Sequence, residues 1–333
     1  MIRSFVRSAS ATLMGLAVLA VFAVPALQLS AQTQVPAAED QATPSAPAPA
    51  AAPVFPKPDP ANFTATSPSK ETVASFLHSS WGYDDTRVWQ VQAILKTPIE
   101  NISKVVIFVG DKTGKEQPQA LVVFVAPDGK HIISADQVIA FGAQPFAENR
   151  VKLQQLATGP YRGSAAKDLE IVEFADFQCP HCKLAQANMD KLVVDYPKAR
   201  IVFQNDPIGA IHPAAVKAAS YGVCVAKLAG STAFFSFASA VFDGQDGLGT
   251  PDGAQLTLNS ALAKAGADQT KVTACADAAD TKATVDASIK LAADLGISQV
   301  PTLVINGRQI PATAPYETLK KIIDFQIKLD GVN

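Results

Sequence analysis

Cysteine, histidine and tryptophan are scarce in this 333-residue chain, and neither sign of charge predominates. Four cysteines are too few for a scaffold built from disulfides, so each one has to be located individually. With 28 Lys and Arg against 30 Asp and Glu, the chain lacks the basic excess of a nucleic-acid binder, and no nucleic-acid partner is expected. A second Cys-X-X-Cys and a His pair are both missing, which argues against a four-ligand zinc site. There is no internal repeat. Only one uncharged run is read as apolar enough to meet a bilayer, and it lies at the N-terminus. What is present is a 48% hydrophobic, 17% charged composition that suits a packed core, in a length that allows about two domains.

Residues 1–31 read as a secretory signal. Arg3 and Arg7 precede the uncharged run Ala9–Leu29, and the small residues around Ala31 suit cleavage there. The alternative is an uncleaved anchor, because the run approaches the roughly 20 residues that span a bilayer. Either way the body of the protein is expected outside the cytoplasm, in the periplasm or its equivalent, where disulfides persist. Residues 32–66 read as a tether. Pro36–Pro60 holds eight Pro and eight Ala, too little apolar bulk to fold, and its prolines keep it extended.

Residues 67–160 read as a small α+β domain. Val73, Phe76 and Leu77 have helical spacing within Lys70–Ser79. Strand-like runs follow at Val88–Leu95, Lys104–Val109 and Leu121–Val125, then a Pro127-Asp128-Gly129-Lys130 turn into His131-Ile132-Ile133, and a helix at Phe146–Leu156. Trp81 and Trp89 read as core or interface aromatics, and His78 and His131 as surface or structural. With no nucleophile, carboxylate pair or ligand cluster, this half is expected to be a scaffold or interaction domain.

The second half, 161–333, carries the chemistry. A short apolar strand, Leu169–Phe174, leads into Cys179-Pro180-His181-Cys182 and then a helix with Leu184, Met189, Leu192 and Val193 on its apolar side. Pro180 suits the first helical turn, where its missing N–H costs nothing. Cys179 is therefore expected at a helix N-terminus, where free N–H groups and the dipole favour an anion and lower the thiol pKa. His181 is expected to add a donor and, when protonated, a positive charge beside the same sulfur. Stabilising the thiolate stabilises the dithiol and makes the pair a stronger oxidant, by about 30 mV per 1.4 kcal/mol. A structural bridge across four residues would constrain little, and haem attachment needs His where Lys183 stands. A redox dithiol is the reading these residues favour, with no cofactor and no metal.

Cys224 and Cys275 lie in helical stretches, the first within Pro213–Leu228. A bridge between them is expected, worth roughly 4 kcal/mol in the chain-entropy model; the alternative is two free buried thiols. His212, before Pro213, reads as the cap of that helix or else as a groove or metal contact. Thr281–Leu295 is a helix stopped by Gly296, Val300–Ile305 a strand, Asn306-Gly307 a hairpin turn and Tyr316–Leu329 a closing helix.

Glu173–Cys182 with its Cys-Pro-His-Cys sequence resembles the DsbA-type thiol–disulfide oxidoreductases, and Val300-Pro301-Thr302 resembles the cis-proline loop of the same superfamily. The likeness spans about 165–329 and implies an α/β thioredoxin fold with a helical insertion at about 207–280. Cys179 is then the attacking and leaving thiol, Cys182 the resolving one, and Glu173 a buried acid that relays its proton. A cis Pro301 would present the Val300 backbone to a substrate peptide. Asp176, nearer in sequence, is expected to point the other way along the strand. Ile211-His212-Pro213-Ala214 with Cys224 and Cys275 is similar to a DsbA-like subgroup carrying an extra disulfide.

Asp128–Ile133 and the helix after it resemble the N-terminal dimerisation domain of DsbC-type isomerases, which implies a homodimer. The expected function is a periplasmic dithiol oxidase acting on reduced or misfolded secreted proteins and reoxidised by a membrane redox partner. The alternatives are an isomerase or reductase of the same fold, a client-binding chaperone, and a copper-handling protein.

Overall fold

The computed structural model describes residues 55–113, 117–134 and 137–332. The expected signal at 1–31 and most of the tether lie outside them. The folded part begins earlier than residue 67, however. Gln92 Nε2 donates to the Pro56 carbonyl, Thr64 and Ala65 donate to the Ile94 carbonyl, and Phe63 packs against the first core. Proline content alone missed these contacts, because Phe63 and Ala65 supply the apolar surface that Pro36–Pro60 lacks.

Helix α1, Lys70–Trp81, starts at Ser69, whose hydroxyl accepts from Thr72 N. It lays Val73, Phe76 and Leu77 on an antiparallel meander of β1 (Arg87–Lys96), β2 (Ser103–Asp111), β3 (Gln119–Val125), β4 (His131–Ser134) and β5 (Gln137–Ala140). Ile94, Val105, Ile107, Val123, Val125 and Ile132 face the helix and close this core. The fifth strand has no counterpart in the sequence reading. Trp81 and Trp89 meet edge to face at 6.2 Å, half-buried at the rim of this core.

After α2, Ala147–Leu156, a second sheet forms from β6 (Tyr161–Gly163), β7 (Glu170–Ala175), β8 (Arg200–Asn205), β9 (Thr302–Ile305) and β10 (Arg308–Pro311), in the order β10-β9-β7-β8-β6. β7 and β8 are parallel, and the other pairs are antiparallel. Alternation along the central strands sends Ile171, Ile201, Leu303 and Ile305 to one face, under α3 (Pro180–Asp195) and α8 (Tyr316–Asp330). Val172, Phe174, Val202 and Val304 go to the other, under α7 (Ala279–Asp294) and Leu153 of α2. This is the thioredoxin arrangement of strands and helices.

Between β8 and α7 come α4 (Ala215–Asp243), α5 (Pro251–Lys264) and α6 (Gln269–Ala276). Their core is aromatic: Phe177 packs on Phe203, Phe234, Phe237 and Phe242, with ring centroids 5.1–6.3 Å apart. Helix α4 is a second segment long and apolar enough to cross a membrane, which corrects the expectation of only one. Its apolar residues have a different use, because Cys224, Val225, Phe234, Phe237 and Val241 are all buried in that core. The helix runs past Leu228 to Asp243, with a break at Gly230, whose φ of 85° suits a residue without a Cβ.

A buried cation bridges the second sheet and the helix of the first, beside ring contacts of His78 and Tyr83 with Phe325. Arg308, the first residue of β10, donates from Nε to Gln326 Oε1 at 2.8 Å, from Nη1 to the Ser80 carbonyl at 2.9 Å, and from Nη2 to the Ser79 carbonyl. The carbonyls belong to the last turn of α1, where a cation complements the dipole. Phe146, Tyr83 and Phe325 surround the guanidinium. Next to it, Gly307 at φ 93° runs so close to α2 that a Cβ would stand 2.2 Å from the Phe146 carbonyl oxygen.

Candidate active site

β7 ends at Ala175, and the chain turns through Asp176, Phe177 and Gln178 before α3 begins. Phe177 fixes this turn by burying its ring in the aromatic cluster, and Gln178 Nε2 donates to the Leu248 carbonyl while its Oε1 accepts from Ala214 N. Gln245 Nε2 donates to the Phe177 carbonyl at 2.8 Å and the Cys179 carbonyl at 3.0 Å. The loop is thus held from the helical insertion on two sides.

Cys179 is the N-cap of α3 and Pro180 its first residue. Both cysteines are free thiols, Cys179 6% exposed and Cys182 fully buried. The Cys179 thiol is brought down to about 6, first by the hydrogen bond from the Cys182 thiol and then by the backbone N–H groups of Cys182 and His181. Burial and the charge of Asp176 act in the opposite direction. The Cys182 thiol is pushed up by the same hydrogen bond and by its burial. A pair split in this way has one sulfur that ionises readily and one that keeps its proton.

His181 contributes differently from the expectation. Its ring is exposed, and what it offers the sulfur is its main-chain N–H. The reason is its position in the first helical turn, which points the N–H at the cap and the side chain outward.

Across the thiol lies the loop before β9. The Val300–Pro301 bond is cis, and the Val300 carbonyl is 3.7 Å from Cys179 Sγ. Pro301 O accepts from Ala312 N, and Thr302 Oγ1 donates to Gln299 O at 2.7 Å.

Glu173 lies on the α3 side of β7, completely buried, with Oε1 accepting from Gln186 Nε2 at 2.8 Å. The same amide donates to the Cys182 carbonyl at 3.1 Å. Burial raises the Glu173 carboxyl to about 7, a shift that the Gln186 hydrogen bond reduces. Its charge also reaches Cys182 and disfavours a thiolate there.

Asp176, just past the end of β7, turns its carboxylate to the 208–212 segment and meets the dithiol through its main chain. Its side chain is buried, and its backbone N–H points at Cys182 Sγ, 3.4 Å away. His212 is not the helix cap, since α4 starts after Ala214; its Nδ1 lies 2.8 Å from Asp176 Oδ2. Cys224 of α4 and Cys275 of α6 form a disulfide, with Cα atoms 5.9 Å apart. Among the described residues no cluster of three or more His, Cys, Asp or Glu could hold a metal ion.

Gln178, Gln186 and Gln245 are the site residues that sequence reasoning missed. Gln178 adjoins the motif and could have been suspected, but Gln245 comes from a helical segment with no marker of its own.

A family model described as thioredoxin matches residues 155–325. Among solved structures, a periplasmic thioredoxin-like protein from Salmonella enterica serovar Typhimurium is 21% identical, with 54% of this chain and 97% of that one covered at a TM-score of 0.47. A thioredoxin-like oxidoreductase from Silicibacter pomeroyi is 23% identical over 54% of this chain and 98% of its own, at 0.46. DsbA2 of Pseudomonas aeruginosa is 28% identical over 50% and 93%, at 0.42. Of curated proteins, the Na(+)/H(+) antiporter NhaA 3 of Salinispora tropica is 36% identical over 66 residues, 20% of this chain and 10% of that protein. The chain therefore spans about a tenth of the length of the curated relatives it matches.

Proposed function

The chain belongs to the thioredoxin family, and from that premise we propose that it is an extracytoplasmic thiol–disulfide oxidoreductase working as a dithiol oxidase. The observation that carries this reading is the division of labour at the dithiol: Cys179 at a helix N-terminus with its thiol down at about 6, and Cys182 buried with its thiol pushed up.

In the oxidised enzyme a client thiolate attacks Cys179 Sγ, and the Cys179–Cys182 bond breaks with Cys182 as leaving group. Cys182 takes up a proton, for which Glu173, with its carboxyl near 7, is the nearby buried acid in this reading. A second client thiolate attacks the client sulfur of the mixed disulfide and releases Cys179 as thiolate. The client gains a disulfide, the enzyme gains two electrons, and the stable Cys179 thiolate favours this direction. The Val300 backbone beside Pro301 pairs with the extended client chain. A membrane redox protein takes the electrons away, and reduced or misfolded secreted proteins are the clients.

The outer face of the first sheet supports a homodimer. Phe124, Ile133 and Val138 lie opposite one another across β3, β4 and β5, all exposed, with Val122 beside them. This exposed apolar face is the observation that favours the isomerase alternative.

The test is oxidation of a reduced two-thiol peptide by the wild type and by Cys179→Ser. Turnover is expected to vanish in the variant while its thermal unfolding is unchanged. Peptide oxidation persisting in a folded Cys179→Ser protein would refute the reading.

A further inference from the structure

Asp176 joins the dithiol to the segment that follows β8. Through its main chain it holds both cysteines: its N–H points at Cys182 Sγ at 3.4 Å, and its carbonyl accepts from Cys179 N at 3.1 Å. Through its side chain it holds residues 208–212. Oδ1 accepts from Gln178 N at 2.7 Å, and Oδ2 accepts from Ile208 N at 2.8 Å and meets His212 Nδ1 at 2.8 Å. A buried carboxylate is costly unless it is paired and hydrogen-bonded. Among the described residues its one basic side-chain partner is His212, whose ring still reaches the surface.

The groups facing this pair are all acids. Asp206 follows β8, half-buried, its carboxyl raised to about 6 by burial and by the charge of Asp176. Cys179 and Cys182 come from the start of α3. The negative charge of Asp176 therefore opposes a second carboxylate and, more to the point, the thiolate of Cys179. The thiolate is favoured by its hydrogen bonds against that charge, and any group that offsets the charge favours it further.

We propose that His212 is a positioning residue of the dithiol, acting through Asp176: its ring holds the carboxylate in place and offsets the charge that would otherwise oppose an anionic Cys179. The 207–214 segment is then part of the redox site, although it contains no reacting atom. This role rests on the oxidoreductase reading, because it matters only if Cys179 works as a thiolate.

The experiment follows the ultraviolet absorbance of the thiolate against pH in the reduced full-length protein. The variants are His212→Ala, Asp176→Asn, the two combined, and His212→Asn, whose amide can donate from the position of Nδ1 without carrying charge. His212→Ala is expected to cut the Cys179 thiolate population at pH 5 roughly five- to tenfold. Made in the Asp176→Asn background, the same change is expected to do nothing, because the charge it offsets has gone. His212→Asn is expected to unfold close to the wild-type temperature yet keep the reduced thiolate population. A purely structural histidine would instead recover both.

The proposal is overturned by an unchanged thiolate population in His212→Ala, by an equal fall in the Asp176→Asn background, or by full recovery in His212→Asn. Should His212→Ala fail to fold, His212→Asn decides alone. A wild-type Cys179 that ionises like an ordinary thiol counts against the oxidoreductase reading, while the comparison among variants still reports on the pair.

Discussion

Glu173 is a buried acid whose charge its surroundings resist, and this gives stability a definite pH dependence. Its carboxyl lies near 7 in the folded protein against about 4.3 in an unfolded chain. The folded state therefore binds the extra proton, and the stabilisation is fully present below about pH 4 and lost as pH rises through 7. Glu173→Gln keeps the hydrogen bond to Gln186 and removes the titration. In the oxidised protein, where the active cysteines do not ionise, the variant should match the wild type at pH 4 and exceed it at pH 8, by up to about 4 kcal/mol. Urea unfolding at the two pH values reads this directly, and equal differences at both would show that Glu173 does not titrate there. At this scale the sequence was most informative where chemistry is encoded by neighbours along the chain. Two cysteines three apart with Pro between them place a sulfur at a helix start, and a strand two residues in from its end places an acid under that helix. Asp176 meets the dithiol through its main chain, which a reading of side-chain alternation does not register. His181 gives the sulfur the expected donor through its main-chain N–H, while its ring is exposed.

Among the elements, the insertion α4–α6 does the most to hold the site, since Phe177, Gln178 and the Cys179 carbonyl are all gripped from it or from the turns beside it. The Cys224–Cys275 disulfide closes α4 onto α6 over a separation of 51 residues, with the Thr281 hydroxyl against both sulfurs. Replacing both cysteines by Ala should cost roughly 4 kcal/mol in denaturant unfolding, the loop entropy returned to the unfolded chain. A loss under about 1 kcal/mol would mean that the aromatic packing alone keeps the insertion closed. Helix periodicity located α1, α7 and α8 to within two residues, because each has an apolar stripe, and Gly296 marks the stop of α7. It fell short on α4, which continues through the break at Gly230, and on β5, which is four residues long. Short edge strands and helices with interior breaks have no period long enough to register.

For the whole molecule, Arg308, a residue that nothing in the sequence marks, hydrogen-bonds the second sheet to the last turn of α1. Its buried guanidinium, lowered to about 10 by burial, ends on two carbonyls of α1 and on Gln326. Arg308→Ala leaves those acceptors without donors and should cost roughly 2–4 kcal/mol. It should also split a single calorimetric transition into two, whereas one transition at the wild-type temperature would show that the sheets are coupled by other contacts. Arg308 and the Val300–Pro301 loop sit at opposite ends of the same β9–β10 hairpin, so the first sheet is anchored to the element that faces the thiol. All of this serves one sulfur, and the rate at which iodoacetamide alkylates Cys179 in the reduced protein, followed from pH 4 to pH 10, is the most direct measure of it. The midpoint is expected at about 6, while a midpoint at the roughly 8.5 of an ordinary thiol would contradict the proposed chemistry at its source.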